Sequence, residues 1–151
     1  MRNKGMLAVF LLSMALVTAM TGLASASSIN SNDANNGGYT ITPVMDSIKT
    51  PGLRTVYDTI SQGETNWHSE DVIGFYTALH VDLNWGNPSN SLRLKIYTPD
   101  GYTLGPYYDN VDGSIDGRIN IYVRNSNGIA QGTWYYEVYG YSVTGTQSYT
   151  I

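Results

Sequence analysis

The fold of this 151-residue chain is decided by the run Gly132-Thr133-Trp134-Tyr135-Tyr136-Glu137-Val138-Tyr139-Gly140-Tyr141. Successive side chains of a β-strand point to opposite faces of its sheet. If the set that begins with Trp134 faces a core, the alternate set faces outward. The inward set is then Trp134, Tyr136 and Val138, and the outward set is Tyr135, Glu137, Tyr139 and Tyr141. The run predicts a strand with one buried face and one tyrosine-rich exposed face.

The same period of two recurs along the chain, and no segment after Ala26 keeps a helical period. The clearest alternation lies in residues 79–85, 92–97 and 119–124. Further strands are expected at 53–60, 64–72, 103–110, 133–142 and 147–151. They are separated by turn sequences such as Pro99-Asp100-Gly101 and Asn127-Gly128. About eight short strands predict an all-β fold, an antiparallel β-sandwich of jelly-roll type.

The N-terminal residues have the pattern of a secretory signal peptide. Arg2 and Lys4 precede a nearly continuous apolar run, and Ala24-Ser25-Ala26 matches the small-residue cleavage rule. We predict a signal peptide over residues 1–26, a flexible polar leader over 27–38 and one domain over 39–151. The protein is then secreted or associated with the cell surface, without a stable membrane span after cleavage. The alternative is an uncleaved N-terminal anchor.

Composition narrows the classes of partner. Once Arg2 and Lys4 are removed, six of the eight basic residues remain against twelve acidic ones, so the net charge becomes −6 instead of −4. Such a charge disfavours nucleic acid and anionic membranes as partners. The chain has no cysteine, so core packing, sheet pairing or a bound ion must supply its stability.

Three segments form a recognisable series by their order and spacing. They are residues 61–69, which contain Gly63-Glu64-Thr65 and Trp67, then 92–101, then 132–151. Together they resemble the bacterial and archaeal pre-peptidase C-terminal domain, which is related to the collagen-binding domains of clostridial collagenases. The resemblance implies a secreted, non-catalytic β-sandwich that usually accompanies a peptidase. Residues 70–76 depart from the family pattern.

Residues suited to catalysis are few. The only imidazoles are His68 and His80, and no Gly-x-Ser-x-Gly or His-Glu-x-x-His motif occurs. A hydrolase would have to use carboxylates, with Glu64, Glu70 or Glu137 as a glycosidase-like pair. The alternative is that all three are solvated strand residues. We therefore expect a protein that is not an enzyme and treat a small carbohydrase as the weakest alternative.

An acidic loop offers a candidate metal site. Hard oxygen donors of the kind that Ca²⁺ prefers are clustered there. The candidate ligands are Asp109, Asn110, Asp112, Ser114 and Asp116. Their spacing does not match an EF-hand, and an ordinary solvated hairpin tip would use the same residue types. Calcium is accordingly the one cofactor that we expect from the sequence.

The tyrosines suggest a ligand-binding surface. If the strands concerned are neighbours in one sheet, their polar faces form an aromatic platform with basic residues beside it, including Arg124. The candidate ligand-binding residues are Tyr97, Tyr122, Tyr135, Tyr139, Tyr141, Arg93 and Lys95. Such a platform binds sugars or extended peptides; the alternative is that cross-strand aromatic pairs only stabilise the sheet. The collagen-binding domains that the chain resembles contact their ligand through sheet-face tyrosines.

These features predict a secreted, non-catalytic module that attaches to an extracellular polysaccharide or protein polymer. The alternative function is an accessory, folding or structural module that acts with a separate secreted peptidase.

Overall fold

The computed structural model describes residues 36–44 and 55–151. The predicted signal peptide and most of the predicted leader lie outside these ranges. The described residues form nine strands and one short 3₁₀-helix. Their bounds are β1 Thr40–Pro43, β2 Tyr57–Ser61, β3 Thr65–Val72, β4 Ala78–Asn84, β5 Ser91–Tyr97, β6 Thr103–Tyr107, the 3₁₀-helix Asp109–Asp112, β7 Arg118–Arg124, β8 Gly132–Ser142 and β9 Thr146–Thr150.

The strands form two antiparallel sheets. The five-stranded sheet has the order β1-β7-β4-β9-β2, and the four-stranded sheet has the order β3-β8-β5-β6. Residues of both sheets contribute to one buried apolar cluster. The predicted all-β antiparallel sandwich is therefore confirmed, with nine described strands where about eight were expected. No helix in the described ranges is long and apolar enough to cross a membrane.

The core follows the period of two. In β5, Leu92, Leu94 and Ile96 are fully buried while the residues between them are partly exposed. In β8, Trp134 is fully buried, meets the Tyr39 ring edge-on at 5.6 Å and donates its indole N–H to the Ala130 carbonyl at 3.0 Å. Full burial of one Leu or Ile side chain contributes about 1.5–3 kcal/mol, so these inner faces hold the two sheets together.

Asn36 and Gly37, at the end of the predicted leader, make hydrogen bonds to the domain. Asn36 donates a side-chain hydrogen bond to the Tyr39 carbonyl, and Asn125 donates one to the Gly37 carbonyl. The next residues form β1, which pairs with β7 and was not predicted. Because β1 has only four residues, its alternation was too short to be distinguished from the polar leader before it.

The sixth strand is shorter than the segment 103–110 predicted from the sequence. A side chain at Gly105 would place its Cβ 2.9 Å from the Leu94 carbonyl oxygen, and Gly105 has a φ of 100°. Pairing between β5 and β6 is irregular at this point. The strand ends at Tyr107, and a 3₁₀-helix replaces its expected end.

The Pro99-Asp100-Gly101 turn lies where the sequence predicts it, between β5 and β6. The Thr98 N–H donates to the Tyr102 carbonyl at 2.9 Å, and Gly101 takes the positive φ of 91° that this turn requires. The Tyr39 hydroxyl donates to the Asp100 carboxylate at 3.0 Å. This contact connects the turn to the start of β1.

Candidate ligand-binding face

Four aromatic side chains lie on the outer face of the four-stranded sheet. Strand register places Trp67 and Lys95 on either side of Glu137, and places Tyr97 beside Tyr135 in the next row. Residues directly opposite each other in antiparallel strands share a face. We call Trp67, Tyr97, Tyr135 and Tyr139 the aromatic face.

The rings of Trp67 and Tyr97 meet above the central strand. Their strands, β3 and β5, lie on either side of β8, which puts the two backbones about 10 Å apart at the usual strand spacing. The ring centroids are only 5.3 Å apart, with a tilt of 41° between the planes. The two rings therefore lean toward each other over Glu137. Trp67 keeps 57% of its surface exposed and Tyr135 keeps 49%, so both remain available to a ligand.

Glu137 connects the polar groups of this face. It is only 8% exposed although it points outward, because the rings above it exclude solvent. Arg93 donates from Nη2 at 2.8 Å, the Tyr97 hydroxyl donates at 2.6 Å, and the Lys95 ammonium lies 3.7 Å away. Burial acts to raise the pKa of Glu137, but the hydrogen bonds and the neighbouring positive charges outweigh it and lower the pKa. The glutamate is therefore an ionised anchor for its neighbours.

The same network positions Tyr139. The Arg93 guanidinium carbon lies 4.3 Å from the centroid of the Tyr139 ring, a cation–π distance. The hydrogen bond from Tyr97 to Glu137 is the main reason that the pKa of Tyr97 is raised, so its proton stays on the hydroxyl. The contacts of Glu137 and Arg93 thus fix Tyr97 and Tyr139 on the aromatic face.

Trp67 is a functional candidate that the sequence analysis did not select, and Glu137 was considered there only as a hydrolytic carboxylate. Trp67 was in a predicted strand, but the alternate set on that strand is Asn66, His68 and Glu70, which is polar. The sequence therefore did not show which of the two sets is buried. Glu137 was correctly placed on the outward face of its strand, but nothing local indicated that its neighbours would cover it.

The sequence analysis placed Tyr122 in the aromatic platform, and this placement was wrong. Tyr122 lies on β7 in the other sheet, only 4% exposed, with its ring centroid 5.3 Å from that of His80. Arg124 lies on the same strand, 4.9 Å from the Tyr122 ring. The prediction required β5 and β7 to be neighbours. Instead β5 pairs with β6 and β8, so Tyr122 and Arg124 do not belong to the aromatic face.

Tyr141 is exposed as predicted, but a β-bulge separates it from the regular part of β8. Leu92 pairs with Gly140 and Ser91 pairs with Ser142, so Tyr141 is the extra residue. Its ring contacts Tyr108 edge-on at 5.0 Å. Of the predicted ligand-binding residues, the structure brings Tyr97, Tyr135, Tyr139, Arg93 and Lys95 together, and places Tyr141 next to them at the end of the sheet.

Two carboxylates of the acidic loop, Asp109 and Asp112, accept hydrogen bonds from nearby backbone N–H groups. Asp109 is buried and accepts backbone N–H groups of Asp116, Gly117 and Arg118 at 3.0–3.3 Å. Asp112 accepts the backbone N–H groups of Ser114 and Asn120 at 3.2 and 2.9 Å. No group of three His, Asp or Glu side chains in residues 36–44 and 55–151 is placed to hold a metal ion. Calcium binding by Asp109, Asn110, Asp112, Ser114 and Asp116 stays a prediction.

A polar cluster lies between the sheets at the edge formed by β2 and β3. His68 Nε2 is hydrogen-bonded to the Tyr149 hydroxyl at 2.7 Å, and the Asn66 amide donates to the same hydroxyl at 3.1 Å. Burial lowers the pKa of His68, and the charge of Asp58, 3.8 Å away, opposes that shift. The cluster satisfies its own polar groups and holds the edge strand β3 against the other sheet.

The two strand carboxylates considered for hydrolysis lie on opposite sides of the sheet. Glu70 is paired with Trp134, which points into the core, whereas Glu137 is paired with Trp67 on the outer face. A glycosidase needs its acid and its nucleophile or base about 5–9.5 Å apart on either side of one bond. Because the backbone of the sheet separates Glu70 from Glu137, these two cannot act together on one substrate.

Comparison with known proteins shows a family but names no activity. No protein-family model matches the chain. A protein of Archaeoglobus fulgidus that is described as uncharacterized is 48% identical over 50 residues, which is 33% of this chain and 70% of that protein. The chain belongs to the same family as this archaeal protein. The relative's description names no activity, so the function is argued from the aromatic face.

Proposed function

We propose that this protein is a secreted, non-catalytic binding module that attaches to an extracellular polymer through the aromatic face. The observation that carries the proposal is the exposure of Trp67 and Tyr135 on a face whose other members are fixed by Glu137. Large aromatic rings that stay exposed on the outer face of a sheet are typical of recognition surfaces.

The arrangement of the face suits a polymer. A strand of a sheet offers a long, nearly straight surface, and Trp67, Tyr135 and Tyr139 offer ring surface along it for stacking. Arg93 and Lys95 add hydrogen-bond donors beside the rings. Because the Glu137 network already orders Arg93, Lys95 and Tyr139, their part in binding costs less conformational entropy than it would on a mobile surface.

Secretion is part of the proposal. It is supported by the signal-peptide pattern that ends at Ala26 and by the resemblance to pre-peptidase C-terminal domains. A polysaccharide and a protein polymer both match the face chemically. The net negative charge of the mature chain argues against nucleic acid as the polymer.

A depletion assay with native cell envelope tests the proposal. Trp67→Ala and Tyr135→Ala should each reduce the bound fraction at least tenfold, because each removes an exposed stacking ring and leaves the core unchanged. Tyr57→Ala is the matched control, since Tyr57 is 82% exposed but lies on β2 in the other sheet. Retention of Trp67→Ala at the level of the unmodified protein would contradict the proposal.

A second candidate function is an accessory module that acts with a separate secreted peptidase. It is favoured by two exposed apolar residues, Ile73 and Phe75, in the loop between β3 and β4. If co-purification of a secreted peptidase is lost in Phe75→Ala and unaffected in Trp67→Ala, this second function is the correct one.

A further inference from the structure

A groove lies at the end of the four-stranded sheet where the β-bulge turns Tyr141 out of the ladder. It is open to solvent and has a volume of about 520 Å³ between Tyr141, the Tyr108 ring and the loop that joins β4 to β5. Known small-molecule sites measure about 300–1,000 Å³. We propose that this groove binds sugar units of a neutral polysaccharide whose chain continues along β8 over the aromatic face. The inference rests on the proposed function and names its ligand class.

The side chain of Gln62 stabilises the β-bulge at Tyr141. The Gln62 amide donates to the Tyr141 carbonyl at 3.0 Å, and the same side chain accepts the Val143 N–H at 2.7 Å. These two backbone groups flank Ser142, directly after the irregularity that Tyr141 makes in the β5–β8 pairing. A β-bulge changes the direction of a side chain. The two hydrogen bonds of Gln62 stabilise the bulge and with it the direction of Tyr141.

The opposite wall of the groove is equally well fixed. The Asn90 amide donates to the Gln147 side chain at 2.7 Å, and Asn90 accepts the Thr144 N–H at 3.0 Å. Trp85 donates its indole N–H to the Asn90 carbonyl at 3.0 Å. The loop between β4 and β5 is therefore anchored through Asn90, which fixes this wall of the groove.

The charges of the lining indicate what the groove accepts. Asp109 is the charged residue among those that line it, and its carboxylate already accepts backbone N–H groups on both oxygens. The other polar lining groups include the hydroxyls of Ser89 and Ser91 and the amide of Asn110. Neutral donors and acceptors beside aromatic rings match the hydroxyl-rich, uncharged faces of a sugar. They offer no charged partner to an anionic or a cationic polymer.

The groove continues the aromatic face. Ser91 lines the groove and lies two residues before Arg93 on β5, so the two side chains share the outer side of the sheet. From the row of Glu137 to Tyr141 the chain advances four residues, roughly 14 Å along β8. A linear chain of several sugar rings can therefore contact Trp67 and reach the groove at the same time.

The test is calorimetry of the mature chain with soluble probes of defined chemistry. The probes are the neutral hexasaccharides of cellulose, xylan, mannan and chitin, the anionic hexamer of galacturonic acid, and a triple-helical peptide of Gly-Pro-Pro repeats. The variants are Tyr141→Ala and Tyr108→Ala in the groove, Ser91→Ala in its floor, Trp67→Ala on the face, and Tyr57→Ala as control. Melting temperatures confirm that each variant is folded.

We expect at least one neutral hexasaccharide to bind. Its Kd should rise at least tenfold in Tyr141→Ala, Tyr108→Ala and Trp67→Ala, rise severalfold in Ser91→Ala, and stay unchanged in Tyr57→Ala. Ser91→Ala removes one hydroxyl without removing a ring, so it keeps the test decisive if a tyrosine variant fails to fold.

Two results overturn the inference and leave the proposed function intact. One is a hexasaccharide that requires Trp67 but binds equally well to the groove variants. The other is binding of only the galacturonic acid hexamer or only the peptide, with dependence on Trp67. A chain that binds no probe and is not retained by native cell envelope contradicts the proposed function, and the inference fails with it.

Discussion

Replacing Glu137 by Gln should weaken both the stability of the domain and its binding of polymer. Gln has nearly the shape of Glu and keeps one oxygen acceptor, but it removes the negative charge that Arg93 and Tyr97 share. The rings of Trp67 and Tyr97 would then cover a neutral group. The change therefore isolates the charge of the carboxylate from its packing.

The size of the effect follows from the two hydrogen bonds. A bond to a charged group contributes about 1.5–3 kcal/mol and a neutral one about 0.5–1.5 kcal/mol. The Arg93 and Tyr97 bonds each fall from the first class toward the second, but Arg93 and Lys95 keep partial contact with water, which screens part of the loss. We expect Glu137→Gln to lower the free energy of unfolding by about 1–2 kcal/mol. For a domain of about 100 residues that lowers the melting temperature by roughly 5–10 °C.

The pH dependence provides a further test. The pKa of Glu137 is lower in the folded protein than its ordinary value of 4.5, because the bonds from Tyr97 and Arg93 outweigh the effect of burial. The folded state therefore favours the ionised form, and its contribution to stability is fully present above the ordinary pKa. That contribution is lost as the pH falls through the lowered folded-state pKa. The gap in stability between the unmodified protein and Glu137→Gln should shrink in the same interval.

Urea unfolding followed by tryptophan fluorescence measures this gap at several pH values. The control is Glu64→Gln, because Glu64 is an exposed carboxylate next to β3 that accepts the Ser61 N–H, and a Gln oxygen can do the same. We expect the control to cost less than about 0.5 kcal/mol at every pH. An equal loss for Glu137→Gln at pH 3 and pH 7 would refute the role of its charge.

Three further predictions concern the core, the polar cluster and the acidic loop. In urea unfolding, Tyr136→Ala should cost about 3–5 kcal/mol because its ring is buried, whereas Tyr139→Ala should cost about 1 kcal/mol. Burial lowers the pKa of His68, so its contribution to stability is present above pH 6.5 and lost as the pH falls through the folded-state pKa; thermal melts of His68→Gln should lack this dependence. If the loop binds calcium, chelation should lower the melting temperature of the unmodified protein but not that of Asp112→Asn; identical curves with and without chelator would exclude it.

Alternation along single strands was enough to predict a large part of the fold. It assigned Trp134 and Val138 to the core and Tyr135 and Tyr139 to the outer face, and the structure has them there. The Pro99-Asp100-Gly101 turn was predictable for the same reason, since its φ requirement is local. Such features depend only on the nearest neighbours in the chain.

The composition of the aromatic face depends on which strands are adjacent. Trp67 joins the face because β3 pairs with β8, and Tyr122 is absent because β7 lies in the other sheet. The direction of Tyr141 depends on a bulge that Gln62, far away in the chain, holds in place. The alternation of side chains along one strand does not predict which other strands lie next to it.

The sequence by itself therefore determined most of the strands, the Pro99-Asp100-Gly101 turn and the outward set on β8, but neither β1 nor the end of β6. Only the tertiary structure decided that Trp67 and Tyr97 close over Glu137 and that a groove opens beside Tyr141. The physical reason is that partners distant in the chain are selected by how the inner faces fill one core together. Side chains on the outer face become neighbours as a consequence of that packing.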